Sequence, residues 1–263
     1  MSTIIAAVAA VLLVGLLVTP LNAQLPTTTI TNVSISRMKN AMAKGAVCLD
    51  GSPPAYYFDE GQGDGIHNWL IYLEGGGWCV SHTDCKSRAQ YSLGSSNRRW
   101  DNMSFYGIIS KNSTENPEFY NWNKVYVVYC DGSSFTGDVD AVDTGNNLTY
   151  RGARVFKVIM EELLARGMKS AKNAILSGSS AGGLAAMIHC DYYHELLPKT
   201  AKVKCLGIAS YFLHQENTVG RKEFESEFEA LVTLHGSAKT LHPLCTKLMR
   251  PSLCFFRNIF SYM

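Results

Sequence analysis

The sequence lacks the charge bias of a nucleic-acid-binding protein. Its 263 residues include 24 Lys and Arg against 22 Asp and Glu, a formal net charge of +2 at pH 7. A phosphate backbone is bound through a clear excess of cations, so nucleic acid is not expected as a partner. The composition, 46% hydrophobic and 17% charged, is ordinary for a globular protein. The length suits one large α/β domain and is short for two enzyme domains.

The sequence also lacks the close Cys-x-x-Cys spacing that a zinc site would require. Its eight cysteines all lie beyond the apolar N-terminus, and an even number of cysteines in a secreted chain favours disulfides. Proximity along the chain favours the pairs Cys79–Cys85 and Cys245–Cys254. The other four cysteines allow three arrangements, of which we predict Cys48–Cys130 with Cys190–Cys205.

Beyond residue 23 no apolar run is long enough to span a bilayer. Ile4 to Val18 is a shorter apolar run followed by Pro20 and Ala23, which is typical of a signal peptide. We predict a signal peptide over residues 1–23 and a secreted mature domain over residues 24–263, with no membrane contact after cleavage. An uncleaved signal anchor is the alternative. Four glycosylation sequons fit the secretory compartment: Asn32, Asn102, Asn112 and Asn147.

The segment from Ile175 to Leu184 predicts a strand, a sharp turn and a helix, because an apolar run stops at small residues and then resumes with helical spacing. Ser180 lies in this turn with Gly178 two residues before it and Gly182 two residues after it. Larger residues at these two positions would collide where strand and helix cross. The pattern predicts Ser180 as a nucleophile, although Gly-x-Ser-x-Gly also occurs in plain loops.

A triple glycine follows the nearly continuous apolar strand predicted over Asn68–Glu74. Gly75, Gly76 and Gly77 allow backbone N–H groups to converge on one point, which is what an oxyanion hole requires. A phosphate-binding loop is the competing interpretation, but the lysine and Ser/Thr that would hold phosphate and magnesium are missing. A purely structural turn is the other alternative.

The rest of the chain alternates strands and helices, which indicates a mostly parallel sheet. The predicted elements are strands over 121–129 and 173–177, a strand with its outgoing loop over 203–213, and helices over 152–167, 181–198 and 223–234. We also expect a hairpin within residues 45–65, a polar loop over 79–100 and a solvated acidic face on the last helix. Asp138, Asp140 and Asp143 raise calcium as an option, but the remaining ligands of a known calcium loop are missing, so no metal or cofactor is predicted.

Several sequence blocks, in order, make the chain resemble the plant pectin acetylesterases, in the Notum-type branch of the α/β-hydrolases. The resemblance runs from about Arg37 to the last residue, and its strongest blocks are 44–53, 73–79, 129–138, 151–154, 177–184 and 251–256. It implies an α/β-hydrolase-like fold with a mostly parallel central sheet and flanking helices. It also implies a secreted cell-wall enzyme that acts on acetylated pectin and removes acetyl groups from homogalacturonan.

The resemblance further implies a role for each residue of the predicted site. Ser180 would attack the acetyl carbonyl, while the N–H groups of Ala181, Gly76 and Gly77 would hold the oxyanion. A histidine would accept the serine proton, and a buried acid would orient that histidine.

The sequence departs from the family pattern after the serine. In this fold the acid and the histidine follow the nucleophile, yet the chain has no aspartate after Asp191. We therefore expect a truncated chain in which the C-terminal strands that carry both partners are missing. Five later residues could substitute only if they lay within hydrogen-bond reach of Ser180: His214, His235, His242, Glu216 and Glu223.

This departure keeps two other functions open. One is a pseudo-hydrolase that binds polysaccharide or another partner without turnover. The other is a different acyl hydrolase of the same fold, because a serine nucleophile does not itself select sugar acetates.

Overall fold

The computed structural model describes residues 32–216, 218–220 and 222–256. Within these residues seven strands form one sheet, in the spatial order β4-β1-β2-β5-β3-β6-β7. In chain order they are β1 (Asn32–Arg37), β2 (Ala55–Asp59), β3 (Asn68–Leu73), β4 (Asn102–Ser104), β5 (Asn123–Val127), β6 (Asn173–Ser179) and β7 (Lys202–Ile208).

The sheet is mixed, and its two halves differ in strand direction. Strands β5, β3, β6 and β7 are parallel neighbours, as the strand and helix alternation predicts. Strands β4, β1, β2 and β5 pair antiparallel. The hairpin predicted within residues 45–65 is wrong, because the one strand in this segment, β2, pairs with β1 and β5 instead of with a local partner.

Six α-helices accompany the sheet in the described part of the chain. They are α1 (His82–Arg88), α2 (Gly152–Ala165), α3 (Ala181–Ile188), α4 (Cys190–Glu195), α5 (Glu223–His235) and α6 (Pro243–Leu248). Helix α1 lies in the segment predicted as a loop, and the helix predicted over 181–198 is interrupted at His189. None of these helices has the length and apolarity to cross a membrane. The predicted signal peptide lies outside the described residues.

Both faces of the central strands are buried, which explains the continuous apolar run in β3. Trp69, Ile71 and Leu73 point to the face that packs against α2 and α3, and Leu70 packs in a separate core on the opposite face. Helix α2 contributes Val155, Ile159 and Leu163 to the first core at helical spacing. Apolar packing on both faces of the sheet therefore fixes the positions of the strand ends.

All four predicted disulfides are present: Cys48–Cys130, Cys79–Cys85, Cys190–Cys205 and Cys245–Cys254. Three of them close short loops. Cys48–Cys130 joins residues 82 positions apart. In the chain-entropy view a loop of that size stabilises the fold by about 4–5 kcal/mol.

A buried ion pair lies at the amino end of β5, where its antiparallel neighbour β2 ends. The Lys124 ammonium is fully buried in β5 and lies 3.0 Å from Asp59 Oδ2, with the Tyr120 carbonyl accepting from it at 2.6 Å. Burial lowers the pKa of Lys124, and the Asp59 carboxylate opposes that shift. Lys111, which is partly exposed, also pairs with Asp59.

Asparagine side chains complete this end of the sheet. Asn123 Nδ2 donates to the carbonyls of Ile66 and Asn68 at 2.9 and 3.0 Å, and its Oδ1 accepts from the Gly61 N–H at 3.0 Å. Asn173 Nδ2 donates to Asn68 Oδ1 at 2.8 Å. The polar groups that meet at the amino ends therefore bind one another.

Candidate active site

Ser180 occupies the sharp turn between β6 and α3. Its backbone angles, φ 53° and ψ −124°, are rare for a residue with a Cβ atom and persist only where the surroundings hold them. The Ser180 N–H donates to the Ile208 carbonyl at 2.9 Å, and the Ser180 carbonyl accepts from the Leu184 N–H at 2.9 Å. The side chain is half-buried and hydrogen-bonds to no described residue. The strained turn therefore holds a serine hydroxyl that is not hydrogen-bonded to any described residue.

The two flanking glycines are required by close backbone contacts. A Cβ atom at Gly178 would lie 2.4 Å from the Gly182 carbonyl oxygen, and one at Gly182 would lie 2.2 Å from the Leu73 carbonyl oxygen. Strand β6 and helix α3 thus approach each other and the end of β3 too closely for any side chain. These contacts are the collisions that the Gly-x-Ser-x-Gly spacing predicts for larger residues at the two glycine positions.

The glycine loop after β3 lies directly beside the serine. A Cβ atom at Gly75 would be 2.2 Å from the Ser179 carbonyl oxygen and 3.3 Å from Ser180 Cβ. Gly76 and Gly77 have φ values of 142° and 64°, which favour glycine. The structure therefore brings the two predicted features, the serine turn and the triple glycine, into contact.

Two carbonyl groups of this loop accept side-chain hydrogen bonds. Arg88 Nη1 donates to the Gly76 carbonyl at 2.9 Å, and the Tyr129 hydroxyl donates to the Gly77 carbonyl at 2.9 Å. Burial raises the pKa of Tyr129, so its hydroxyl stays protonated and remains a donor. Because C=O and N–H point in opposite directions across a trans peptide, these bonds fix the direction of the N–H groups that follow each carbonyl.

Backbone N–H groups of the glycine loop and of the serine turn lack acceptors. Those of Gly76, Gly77 and Ala181 donate no hydrogen bond to another residue in the described ranges. Ala181 is also the first residue of α3, where the helix dipole favours negative charge. Open donors beside a serine hydroxyl form an arrangement that can stabilise an oxyanion.

Ser134 connects the glycine loop to the serine turn, and the sequence analysis does not identify it. Trp78 Nε1 donates to Ser134 Oγ at 2.7 Å, and Ser134 Oγ donates to the Ala181 carbonyl at 2.7 Å. The Ser134 N–H donates to the Tyr129 hydroxyl at 2.9 Å. Ser134 has a φ of 55°, a strained value in a loop that follows the carboxyl end of β5. That position after a strand was the one sequence signal that could have indicated it.

His214 does not bond to Ser180. Its Nε2 lies 2.7 Å from Glu225 Oε2, and Glu225 also pairs with Arg250. The hydrogen bond from His214, followed by the one from Arg250, lowers the pKa of Glu225. Glu225 is buried, so the expectation that the acidic run of α5 is a solvated face is wrong at this residue.

The other two histidines named as possible substitutes, His235 and His242, also have different surroundings. His235 is fully buried at the end of α5, where its Nε2 lies 2.8 Å from the Cys79 carbonyl oxygen. Burial lowers the pKa of His235 to about 4, so its ring is neutral at pH 7. His242 lines a cavity of about 300 Å³ together with Leu184 and Asp191. Neither histidine hydrogen-bonds to Ser180 in the part of the chain that the structure describes.

The two glutamates named as substitutes are no nearer to that role. Glu216 is exposed in the loop after β7, and Glu223 is the first residue of α5. Glu216 makes no hydrogen bond to Ser180 within the described residues.

The aspartates considered for calcium bind side chains instead. Asp138 and Asp140 both pair with Arg154, and Asp143 Oδ2 lies 2.7 Å from His82 Nδ1. Among the described residues one group has side chains near enough to share a metal: Cys79, Cys85 and His235. Its two sulfurs form a disulfide and are not available as thiolate ligands.

A strained serine between a parallel strand and a helix, beside a glycine loop with open amides, defines the α/β-hydrolase class. The crystal structure of the Wnt deacylase Notum from Drosophila has the same fold, with a TM-score of 0.72 over 86% of this chain and 67% of that chain at 24% identity. The α/β-hydrolase-like fold expected from the sequence is thereby confirmed.

Sequence comparison identifies the family. The family model for pectinacetylesterase matches residues 27–263. Pectin acetylesterase 11 of Arabidopsis thaliana is 51% identical over 224 residues, which are 85% of this chain and 57% of the relative. The palmitoleoyl-protein carboxylesterase NOTUM of Homo sapiens is 33% identical over 183 residues, 67% of this chain and 36% of that protein. The chain belongs to the pectinacetylesterase family, and it spans little more than half the length of its Arabidopsis relative.

Proposed function

We propose that the protein is a secreted carboxylic ester hydrolase that removes acetyl groups from pectin in the plant cell wall, with Ser180 as its nucleophile. One observation carries the proposal: a serine with strained backbone angles lies beside a glycine loop, and the N–H groups of Gly76, Gly77 and Ala181 have no acceptor among the described residues, in a chain of the pectinacetylesterase family. The identity to pectin acetylesterase 11 supports the substrate class.

The proposed reaction has two steps. Ser180 Oγ attacks the acetyl carbonyl carbon, and the three N–H groups stabilise the oxyanion that forms. The intermediate then expels the sugar hydroxyl and leaves an acetyl group on the serine. Water attacks this acetyl ester, releases acetate and restores the hydroxyl. One oxyanion donor is worth roughly a hundredfold or more in turnover.

Ser180 needs a proton acceptor for both steps, and no histidine among the described residues bonds to it. A serine without a base keeps its normal, high pKa and is a weak nucleophile. We propose that the histidine and its acid lie in the part of the family's length that this chain does not span. Sequencing the transcript past Met263 tests this point: an in-frame Asp and His that follow predicted strands support it, and a stop codon at that place contradicts it.

The lack of a histidine bonded to Ser180 among the described residues also favours a second candidate, a pseudo-hydrolase that binds pectin or another partner without turnover. Acetate release from acetylated pectin, measured on protein expressed from the full reading frame with any in-frame residues past Met263, separates the two functions. Saturable binding to pectin without any acetate release supports the second candidate.

Two neighbouring serines provide a matched pair of variants for the esterase. Ser180→Ala removes the proposed nucleophile, while Ser179→Ala changes the adjacent serine of the same turn. In protein expressed from the full reading frame, we expect acetate release to be lost in the first variant and retained in the second. Acetate release that persists in Ser180→Ala would overturn the assignment of the nucleophile.

A further inference from the structure

Two of the four sequons face each other across neighbouring strands. In the antiparallel pair β1 and β4, Asn32 is opposite Ser104 and Ser34 is opposite Asn102. Alternate residues of a strand point to one face, so these four polar side chains share a face. Val33 is buried on the opposite face. The sequons Asn32-Val33-Ser34 and Asn102-Met103-Ser104 therefore form one compact polar patch, here called the sequon pair.

The hydroxyl of each sequon binds the asparagine of the other. Ser34 Oγ donates to Asn102 Oδ1 at 2.9 Å, and Ser104 Oγ donates to Asn32 Oδ1 at 3.1 Å. Both bonds use the amide oxygen. The Nδ2 atoms of Asn32 and Asn102 have no hydrogen-bond partner within the described residues, and both asparagines are exposed. The atom that carries an N-linked glycan is thus free and accessible in both.

We propose that Asn32 and Asn102 both carry N-linked glycans and that the two reciprocal hydrogen bonds hold the linkages side by side. The oligosaccharide comes from a lipid-linked oligosaccharyl diphosphate. The bond between sugar C1 and the diphosphate oxygen breaks, and a C1–Nδ2 bond forms. The amide nitrogen loses one proton, and the lipid diphosphate leaves. The modification requires entry into the secretory pathway, so it rests on the secretion part of the proposed function.

Glycans at the sequon pair shield one edge of the sheet. Strand β4 is the outermost strand on this side and pairs only with β1 among the described strands. An exposed edge strand offers unpaired backbone groups to another chain. Diagonal neighbours across an antiparallel pair lie about 7–8 Å apart, so two sugars attached there cover a short strand.

The other two sequons differ from this pair and provide controls. Asn112 is exposed in a loop, and its Oδ1 accepts from the Thr114 N–H at 2.9 Å. Thr149, the hydroxyl residue of the Asn147 sequon, is buried and donates to the Cys48 carbonyl at 2.6 Å. Neither sequon lies at a sheet edge.

Site occupancy is tested on the full chain expressed in a eukaryotic secretory host. Tryptic cleavage after Arg37, Arg99 and Lys111 places Asn32, Asn102 and Asn112 on separate peptides. Release by a peptide N-glycosidase in ¹⁸O-labelled water marks each glycosylated asparagine as ¹⁸O-aspartate in the mass spectrum. We expect this label at both Asn32 and Asn102.

The outcomes separate the two proposals. Label at Asn112 without label at either residue of the sequon pair overturns the glycan assignment while secretion stands. A chain that keeps residues 1–23 and carries no label at any sequon contradicts secretion, and the glycan assignment fails with it.

Shielding is tested by the double variant Asn32→Gln, Asn102→Gln from the same host. We expect the loss of two glycan-sized steps in gel mobility and a larger mean mass in light scattering, because the edge becomes available for pairing. Asn112→Gln removes a loop glycan and serves as the matched control. An equal mean mass for the double variant and this control would contradict shielding.

Discussion

The two ends of the parallel strands differ in whether their polar groups are hydrogen-bonded. At the amino ends the buried polar groups bind one another: Lys124 pairs with Asp59, and Asn123 binds three backbone groups. At the carboxyl ends the backbone takes strained angles at Ser134 and Ser180, and three N–H groups stay open. Satisfied groups stabilise the fold, whereas open donors and a free hydroxyl are available to a ligand. The difference separates the end that holds the sheet together from the end that can react.

The largest loss of stability is expected from a variant at the amino ends of these strands. Lys124→Ala leaves the Asp59 carboxylate buried beside a cavity, so we expect the free energy of unfolding to fall by about 3–5 kcal/mol. Urea denaturation measures it. Lys111→Ala removes the partly exposed partner of the same carboxylate and should cost about 1 kcal/mol or less. Equal losses in the two variants would show that burial of Lys124 does not matter.

A slightly smaller loss is expected at the carboxyl end from Gly182→Ala. The new methyl group would lie 2.2 Å from the Leu73 carbonyl oxygen, so β3 and α3 must separate. We expect a loss of about 3 kcal/mol, measured by urea denaturation. Gly77→Ala is the control, because a Cβ atom at Gly77 meets nothing within 4 Å and costs only the strain of its φ of 64°, about 1–2 kcal/mol.

Acid should lower the free energy of unfolding before it protonates the exposed carboxylates, because two buried histidines lie near the carboxyl ends of the strands. Burial lowers the pKa of His189 and of His235 from 6.5 to about 4. The unfolded chain then binds more protons between these values, so stability is complete above pH 6.5 and is lost as the pH falls toward 4. Each histidine contributes a slope of about 1.4 kcal/mol per pH unit.

His189→Gln tests that slope. Glutamine retains a donor for the Phe135 carbonyl, which lies 3.1 Å from His189 Nε2, but it does not titrate. We expect urea midpoints measured between pH 4 and pH 6.5 to depend less steeply on pH in the variant. A slope identical to that of the unmodified chain would contradict the assignment.

The smallest expected difference in stability measures the backbone strain at Ser134. Ser134→Ala and Ser134→Gly both remove the hydroxyl that links Trp78 to Ala181, but only glycine relieves the φ of 55°. We expect the glycine variant to be more stable by about 1 kcal/mol in urea denaturation. An alanine variant of equal or greater stability would indicate that the backbone at Ser134 stores no strain.

The features that could be predicted from the sequence are those that depend on the local spacing of residues. The strand, turn and helix around Ser180 follow from small residues at fixed positions, and β3 and β5 follow from apolar runs. The four disulfide pairs were predictable for a related reason, since three of them join cysteines close in the chain. The nucleophilic role of Ser180 stays a prediction.

Contacts between distant segments could not be predicted in this way. Glu225 reads as part of an exposed acidic run, yet its partners His214 and Arg250 lie 11 and 25 residues away. Tyr129 and Arg88 carry no motif, and their role beside the glycine loop depends on how β5 and α1 pack. The break at His189 also depends on packing, because its ring stacks on Phe156 from another helix at 4.2 Å.

Strand β7 forms the far edge of the described sheet, and its position has a geometric consequence for Ser180. Leu206 and Ile208 are exposed there, and the Ile208 carbonyl accepts the Ser180 N–H. Neighbouring strands lie about 4.8 Å apart, so a chain that pairs with β7 places its backbone about 10 Å from the β6 turn. A side chain at the end of such a strand is within reach of the serine hydroxyl. This edge of the described sheet is thus a place from which another segment can deliver a proton acceptor to the turn.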